Sequence, residues 1–222
     1  MTPKRTSAAD HTTPLRLVIV SMDTHLASAA ARARKVLSRE MPGLTLSLHA
    51  ASEFASNPAA LARCKADIAQ ADIVVAAMLF LEDHFLPILD DLRARREHCD
   101  AMVSLMSASE VVKLTRLGHF DMGKPASGPM ALLKKLRGGA GKDKAATGGA
   151  AQMKMLRRLP RILRFIPGTA QDVRAYFLTL QYWLGGSDEN MLNLVRHVVD
   201  RGAEGPRRVL RGLFKAAAPV EY

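Results

Sequence analysis

The apolar positions in the first 120 residues alternate between a strand pattern and a helix pattern. Four short runs rich in valine, isoleucine and leucine predict strands, at residues 15–23, 44–50, 71–80 and 100–107. Segments of helix-forming composition follow them, at residues 25–39, 58–70, 82–96 and 109–117. Because parallel strands are joined by crossover helices, this order is typical of a parallel sheet with helices on both faces. The sequence therefore predicts a parallel α/β fold, flavodoxin-like or Rossmann-like, over residues 15–120.

The rest of the chain has a different composition. Residues 1–14 are polar and predict a disordered tail. Residues 121–151 predict a loop with a short basic helix and a Gly/Ala-rich insertion. Beyond this insertion the pattern predicts helices alone, at residues 152–166, 169–184, 187–201 and 205–215. We therefore expect a helical extension over residues 152–222, after the α/β domain.

Positive charge is concentrated in the second half. The formal net charge is +11, and residues 121–222 hold 18 of the 32 Lys and Arg but only 8 of the 21 Asp and Glu. Such an excess indicates an anionic partner. The basic segment at residues 154–165 suits a membrane surface, nucleic acid, an acidic protein, or a packed helix with one solvated face. Pro160 interrupts this segment and no aromatic residues are interleaved in it, so specific nucleic-acid binding is not expected.

Cysteine usage and the lack of targeting segments point to the cytoplasm. Cys64 and Cys99 are isolated and make no CxxC pair, which fits a reducing compartment. The first residues have no apolar signal region, and no apolar run approaches the roughly 20 residues that a membrane span needs. We expect a cytoplasmic protein with no membrane span.

Motifs for several kinds of chemistry are missing. The turn at residues 21–25 has no glycine, so a dinucleotide-binding loop is not expected there. Asp143 stands where a P-loop needs serine or threonine. The sequence shows neither the His and Cys spacing of a metal site nor a GxSxG nucleophile motif. No cofactor is therefore assigned to this segment.

Polar side chains follow three of the predicted strands. In open parallel sheets, ligands bind beyond the carboxyl ends of the strands. The candidate ligand-binding residues at these ends are Asp23, His25, Glu82, Asp83 and His84, accompanied by Ser107, Ser109 and Glu110. Carboxylates and imidazoles transfer protons and bind cations. The same residue types also cap helices and stabilise helix N-termini, so a purely structural role stays open for all of them.

The stretch YFLTLQYWLGGSDENMLNLVRHVVDR, residues 176–201, predicts a helical hairpin. Apolar residues recur at helical spacing up to Trp183, the single tryptophan of the chain. Gly185 and Gly186 end the first helix, and Ser187 can cap the second. This pattern makes Trp183 a core residue beside the corner, and contact of its ring with a ligand is the alternative.

This hairpin resembles a segment of the large porphyrin-binding H subunit of magnesium chelatase, a family that includes the large subunit of cobaltochelatase. The shared motif is an aromatic helix followed by a WLGGSxxN corner, here Trp183 to Asn190. Residues 106–137 are similar to a second family stretch, in which the pattern EVxxLxxLGxF is carried by Glu110 to Phe120. The resemblance covers nearly all of residues 15–222 and is closest to the bacteriochlorophyll type.

The resemblance implies a place in a larger enzyme. Subunits of this family are several times longer, so the chain is expected to be the N-terminal region of one, or a truncated relative, ending before the main body. It implies protoporphyrin IX and Mg²⁺ as substrates, with ATP hydrolysed by two partner motor subunits. The reaction that the resemblance implies is that of a ligase, which forms nitrogen–metal bonds for bacteriochlorophyll. No catalytic residue is transferred to this chain, and the segment alone is not expected to be catalytic.

Two hypotheses from other functional classes stand beside this one. The first is a stand-alone basic module that binds nucleic acid or an acidic protein, which the net charge suggests. The second is a small flavodoxin-like domain that binds a ligand at its strand ends.

Overall fold

A mixed sheet of six strands, four of them parallel, forms the centre of the molecule. The computed structural model of the protein describes residues 8–124, Pro160, Leu163 and residues 168–220. The strands are β1 (Leu15–Ser21), β2 (Leu44–Ala50), β3 (Ile73–Ala77), β4 (Ala101–Leu105), β5 (Arg116–Leu117) and β6 (Phe120–Asp121). Their order is β2-β1-β3-β4-β5-β6, and the first four are parallel while β5 and β6 are antiparallel additions. The predicted α/β fold with a parallel sheet is confirmed.

Helices flank the sheet on both sides. They are α1 (Ala8–His11), α2 (Ala27–Glu40), α3 (Pro58–Gln70), α4 (Glu82–Arg96), α5 (Ser109–Val112), α6 (Thr169–Gly185) and α7 (Asp188–Gly202). Short 3-10 helices occur at Ala51–Glu53 and Gly205–Leu210. Asn57 begins α3 by accepting the Ala60 N–H at 3.0 Å, and Pro58 occupies the first turn, where its missing N–H costs nothing.

The two faces of the sheet have separate apolar cores. In β1, Leu17 and Ile19 point to the face covered by α2, α6 and α7. Val18 and Val20 point to the opposite face, covered by α3 and α4. Because successive side chains of a strand alternate in direction, a strand covered on both faces needs an uninterrupted apolar run. This double coverage explains the lack of alternation in the sequence of β1.

Helices α6 and α7 pack directly against the sheet. Buried apolar residues of both helices share one cluster with residues of β1, β3 and β4. At Gly202 the contact is so close that an added Cβ would lie 2.9 Å from the Cβ of Ala101. The predicted boundaries, a domain at residues 15–120 and a helical extension at residues 152–222, stay a prediction. The structure adds that helices from beyond residue 168 complete the core of the sheet.

The region after β4 differs from its prediction. A helix was expected over residues 109–117, but α5 has one turn and a short hairpin of β5 and β6 follows it. Tertiary hydrogen bonds account for the difference. The hydroxyl of Thr115 accepts the N–H of Ser104 at 3.1 Å, and the Arg116 guanidinium donates to the carbonyl of Arg96 at 2.9 Å. These bonds hold the segment extended beside β4.

Two other expectations also change. The helix predicted at residues 205–215 is a 3-10 helix that ends at Leu210, where the backbone of Arg211 is extended and its side chain donates to the Ala203 carbonyl at 2.6 Å. Within the tail predicted to be disordered, Ala8–His11 form one helical turn. The predicted basic helix near 130–137, the Gly/Ala-rich insertion and most of the helix at 152–166 lie outside the described residues.

His197 on α7 should make the stability depend on pH. Its ring nitrogen Nε2 lies 3.1 Å from the Ala175 carbonyl of α6, and burial lowers the pKa of His197 from 6.5 to about 4. Between these values the unfolded chain binds a proton that the folded chain does not, so stability falls as the pH falls. From pH 7 to pH 5 the expected loss from this group is about 2 kcal/mol. Urea unfolding at several pH values measures it, and His197→Gln, which keeps a donor, should lose less over the same range. Equal pH dependence in both proteins would rule this origin out.

Arg207 should be required for stability, unlike its neighbour. Its guanidinium binds both carboxylate oxygens of buried Asp100, at 2.7 and 2.6 Å, and lies 3.3 Å from Asp72. Removing the arginine leaves Asp100 buried without its ion-pair partner, which costs about 3 kcal/mol in comparable pairs. Arg207→Ala should therefore lower the free energy of unfolding by about that amount in urea. The matched control is Arg208→Ala at an exposed position, with an expected change within about 0.5 kcal/mol.

Candidate functional site

The carboxyl ends of the parallel strands form one continuous edge, which we call the carboxyl edge. Ala50, Ser21, Ala77 and Leu105 are aligned across it by the register of β2, β1, β3 and β4. The chain leaves β1 toward β2 on one side and later returns to β3 on the other. A reversal of this kind opens a crevice at which α/β proteins bind ligands. All five predicted ligand-binding residues follow strands at this edge.

Asp23 and His25 form a local pair in the loop after β1. The Asp23 carboxylate accepts the backbone N–H of His25 at 3.0 Å and also contacts the His25 ring. The backbone hydrogen bond, followed by the side-chain contact, lowers the pKa of Asp23. The His25 ring in turn lies edge-on to Trp183, with 6.1 Å between the ring centroids. The pair therefore holds an ionised carboxylate at the carboxyl edge, next to the α6–α7 corner.

Glu82, Asp83 and His84 form the first turn of α4. Both carboxylates are exposed, at the helix end where a negative charge is favourable. His84 is half-buried, and its Nδ1 is shielded from solvent without a hydrogen-bond partner among the described residues. No contact between this group and Asp23 or His25 is recorded in the described part of the chain. The structure thus brings the candidates to one edge as two separate groups.

The polar residues after β4 have structural contacts. Ser107 accepts the Leu79 N–H at 3.1 Å and donates to the Leu105 carbonyl at 3.0 Å. Ser109 donates to Glu110 at 3.1 Å, and hydrogen bonds from the backbone and from Ser109 lower the pKa of Glu110. Neither serine caps α5, whose N-cap residue is Ala108. The capping role expected for Ser107 or Ser109 is therefore wrong, although Ser107 does join the ends of β3 and β4.

A small cleft opens beside Asp23 that sequence patterns did not indicate. Its volume is about 200 Å³, and it lies between the ends of β1 and β2 and the start of α3. Its charged and imidazole lining consists of Asp23, His49, Glu53 and Arg63. His49 is held by Asp67, with 2.7 Å between Nε2 and the carboxylate. Side chains of both charges can form hydrogen bonds to a small polar molecule. The sequence feature that could have indicated this cleft is His49, near the end of the alternating strand predicted at residues 44–50.

The ends of β3 and β4 also adopt an uncommon backbone conformation. Met78 and Met106 have positive φ angles of 60° and 44°, which side chains other than glycine rarely adopt. Hydrogen bonds fix the two strand ends to each other, from Met78 N–H to the Leu105 carbonyl and from Ala108 N–H to the Leu79 carbonyl, both at 2.9 Å. No sequence pattern indicated this feature, because methionine is not a turn residue.

The α6–α7 corner is built as a packed joint. Trp183 is 2% exposed, so its role as a core residue is confirmed, although its Nε1 has no hydrogen-bond partner among the described residues. Gly186 ends α6 with a left-handed φ of 60°. Ser187 caps α7 by accepting the Asn190 N–H at 3.1 Å. A Cβ at Gly185 would lie 2.2 Å from the Asn190 amide nitrogen, so any larger residue there would displace the Asn190 side chain.

Asn190 uses this joint to hold the C-terminal segment. Its amide group donates to the Val220 carbonyl at 2.8 Å and accepts the Val220 N–H at 2.9 Å. Asn193, one turn later, accepts the Ala217 N–H at 3.0 Å, and the hydroxyl of Tyr182 donates to the Ala217 carbonyl. Asn190 of the WLGGSxxN motif therefore holds Val220, and Tyr182 and Asn193, which flank the motif, hold Ala217.

Neither a metal centre nor a membrane span is found among the described residues. In that part of the chain, no group of three or more His, Cys, Asp or Glu side chains is arranged to hold a metal ion. None of the helices described there has the length and apolar character needed to cross a membrane.

Comparison with known proteins gives one family and several relatives. The family described as a domain of unknown function, DUF3479, matches residues 16–177. The magnesium-chelatase H subunit of Cereibacter sphaeroides is 50% identical over 93% of this chain, and that of Rhodobacter capsulatus is 49% identical over 93%. The chloroplastic ChlH protein of the magnesium chelatase of Oryza sativa subsp. japonica is 33% identical over 60% of the chain.

These matches confirm the resemblance to the N-terminal region of magnesium chelatase H subunits. They also show that most of the length of these relatives has no counterpart in this chain. The chain spans 17% of the length of the two bacterial relatives and 9% of the rice protein.

Loss of the Asn190 amide should release Val220 selectively. In Asn190→Ala the N–H of Val220 loses its acceptor, so its hydrogen exchange should accelerate at least about tenfold, whereas the Ala217 N–H keeps its bond to Asn193. Asn193→Ala is the matched control and should accelerate Ala217 instead. Residue-resolved exchange by NMR measures both. Uniform acceleration in both variants would show that the two amides do not act separately.

Proposed function

Because the chain belongs to the DUF3479 family, and because H subunits match it over nearly its whole length, we propose that it acts as the N-terminal region of a magnesium chelatase H subunit. The observation that carries this proposal is 50% identity to one such protein across 93% of the chain. The structure supports it by giving physical roles to residues of the motif WLGGSxxN: Gly186 ends α6, Ser187 caps α7 and Asn190 holds Val220.

The proposed reaction of the whole subunit is the insertion of Mg²⁺ into protoporphyrin IX. Both are substrates, and ATP is hydrolysed on two partner motor subunits. Two pyrrole N–H protons must leave the macrocycle as the nitrogen–metal bonds form, so a base is needed near it. We further propose that this reaction serves bacteriochlorophyll biosynthesis in the cytoplasm, as the resemblance to the bacteriochlorophyll type implies.

Within this enzyme, we assign the described region a scaffold role rather than a catalytic one. Trp183 and Asn190 of the family motif are buried, and Asn190 binds the backbone of Val220 instead of facing an open pocket. Asp23, His25, Glu82, Asp83 and His84 stay predicted ligand contacts, on the grounds of their position at the carboxyl edge.

The charge distribution restricts the alternative hypothesis, a stand-alone basic module, to residues 125–167. The described residues hold 20 Lys and Arg against 19 Asp and Glu, whereas residues 125–167 alone hold ten Lys and Arg and a single Asp. Several arginines of the described part are also used in ion pairs, such as Arg196 with Glu40 and Arg207 with Asp100. The α/β region by itself therefore offers no excess of charge to attract nucleic acid.

A domain exchange tests the proposed function. In the H subunit of Cereibacter sphaeroides, the aligned N-terminal region is replaced by this chain, and Mg²⁺ insertion into protoporphyrin is measured with motor subunits and ATP. At 50% identity the corner and both cores should form, so the hybrid should insert Mg²⁺ at a rate within about tenfold of the parent. A version lacking the region should be inactive.

The control for this exchange is a hybrid carrying Gly185→Val, in which the added side chain would overlap the Asn190 amide. It should lose activity together with stability. A hybrid that folds as stably as the parent but inserts no Mg²⁺ would contradict the proposal. Retention of the isolated chain on DNA that declines steeply with salt would favour the basic module instead.

A further inference from the structure

Large apolar side chains are exposed together at the carboxyl edge. Phe80, Leu81, Leu86 and Met106 are 49, 58, 54 and 39% exposed. We call these four residues the apolar edge. Phe80 and Leu81 follow β3, Leu86 lies in the second turn of α4, and Met106 follows β4. Val36 and Leu184 are the other large apolar residues exposed to this extent in the described part of the chain. Clustering at one edge distinguishes this group from the single exposed apolar residues that every protein surface carries.

The backbone beneath the apolar edge is fixed. Met78 and Met106 have left-handed φ angles, and hydrogen bonds tie the segment from Met78 to Leu79 to the end of β4. Leu79 itself is fully buried, so it anchors the segment that presents Phe80 and Leu81 to solvent. An apolar surface held rigid in this way loses little conformational entropy when a partner covers it.

Acidic residues border the apolar edge. Glu82 and Asp83 are exposed beside Leu81, and Glu110 is exposed on the short helix that follows Met106. No ion pair of these three carboxylates is recorded in the described part of the chain. The surface that fits this edge is therefore apolar in its middle and carries Lys or Arg at its border.

The path of the chain points to the occupant. After the 3-10 helix at Gly205–Leu210, the polypeptide returns along the α6–α7 hairpin, where Ala217 meets Asn193 and Val220 meets Asn190. Val220 lies next to Gly185, in the α6–α7 corner. In the same corner, Gly186 faces Leu26, which belongs to the loop after β1. Residue 220 therefore lies toward the carboxyl edge. The matched relatives continue far beyond this region, since the chain spans 17% of their length.

From these observations we infer that the apolar edge docks against the body of the same H subunit, the part that follows this region in the longer relatives. This inference rests on the proposed function. The occupant is a surface of the same polypeptide, apolar at its centre and basic at its border. Docking would remove Phe80 and Leu81 from water and fix the position of the region relative to the part of the subunit that does the chemistry.

Cysteine labelling in the full-length H subunit containing this region tests the inference. Leu81→Cys and Leu86→Cys report on the edge, and Val36→Cys, exposed on α2, is the matched control. The two native cysteines of the region are buried, and burial raises the pKa of both thiols, so they contribute little background. Peptide mass spectrometry reads each rate separately. Cysteines at 81 and 86 should react at least about tenfold more slowly than the cysteine at 36 in the monomeric protein without motor subunits.

Each other outcome would overturn the inference. Equal rates at all three positions would show an uncovered edge. Protection that appears only as the protein concentration rises would assign the edge to a second copy, and protection that requires the motor subunits would assign it to them. If Leu81→Cys lowers the melting temperature, Glu82→Cys at the exposed border replaces it. Failure of the proposed function gives a distinct result, since the domain exchange would then be inactive whatever the labelling rates are.

Discussion

Parallel strands have apolar side chains on both faces, and both faces have to be covered. Here α3 and α4 cover one face, but the other face requires α6 and α7 in addition to α2. The contact of Gly202 with Ala101 brings the end of α7 against the sheet. This packing fixes the direction of α7 and therefore the position of the α6–α7 corner. The corner in turn binds residues 217–220. The second half of the chain is therefore part of the fold of the first.

The strands and the longer helices were predictable because their sequence patterns are local. Continuous apolar runs marked β1, β3 and β4, and Asn57 with Pro58 marked the start of α3. The hairpin after α5 was not predictable, because it depends on hydrogen bonds from Thr115 and Arg116 to residues distant in sequence.

The candidate site was predictable only as a location. The order of strands and helices implied a carboxyl edge, and the residues after each strand could be named from the sequence. Their arrangement could not, since the contact of Asp23 with His25, the position of His49 in the cleft, and the left-handed backbone at Met78 arise from packing. For the family motif, the residues were predictable and their physical role was not. Its residues were recognised from the sequence, but the role of Asn190 came from the structure, in which its amide group makes two hydrogen bonds to the backbone of Val220.

We propose that this region works as one part of a much longer chelatase subunit. It explains why an apolar edge is held rigid in contact with water, and why the chain matches H subunits along 93% of its own length but 17% of theirs. The most direct measurement is the intact mass of the native protein, detected in cells by an antibody raised against this region. If the region is one part of a longer subunit, this mass should be several times 24.2 kDa. A native product near 24.2 kDa would contradict it.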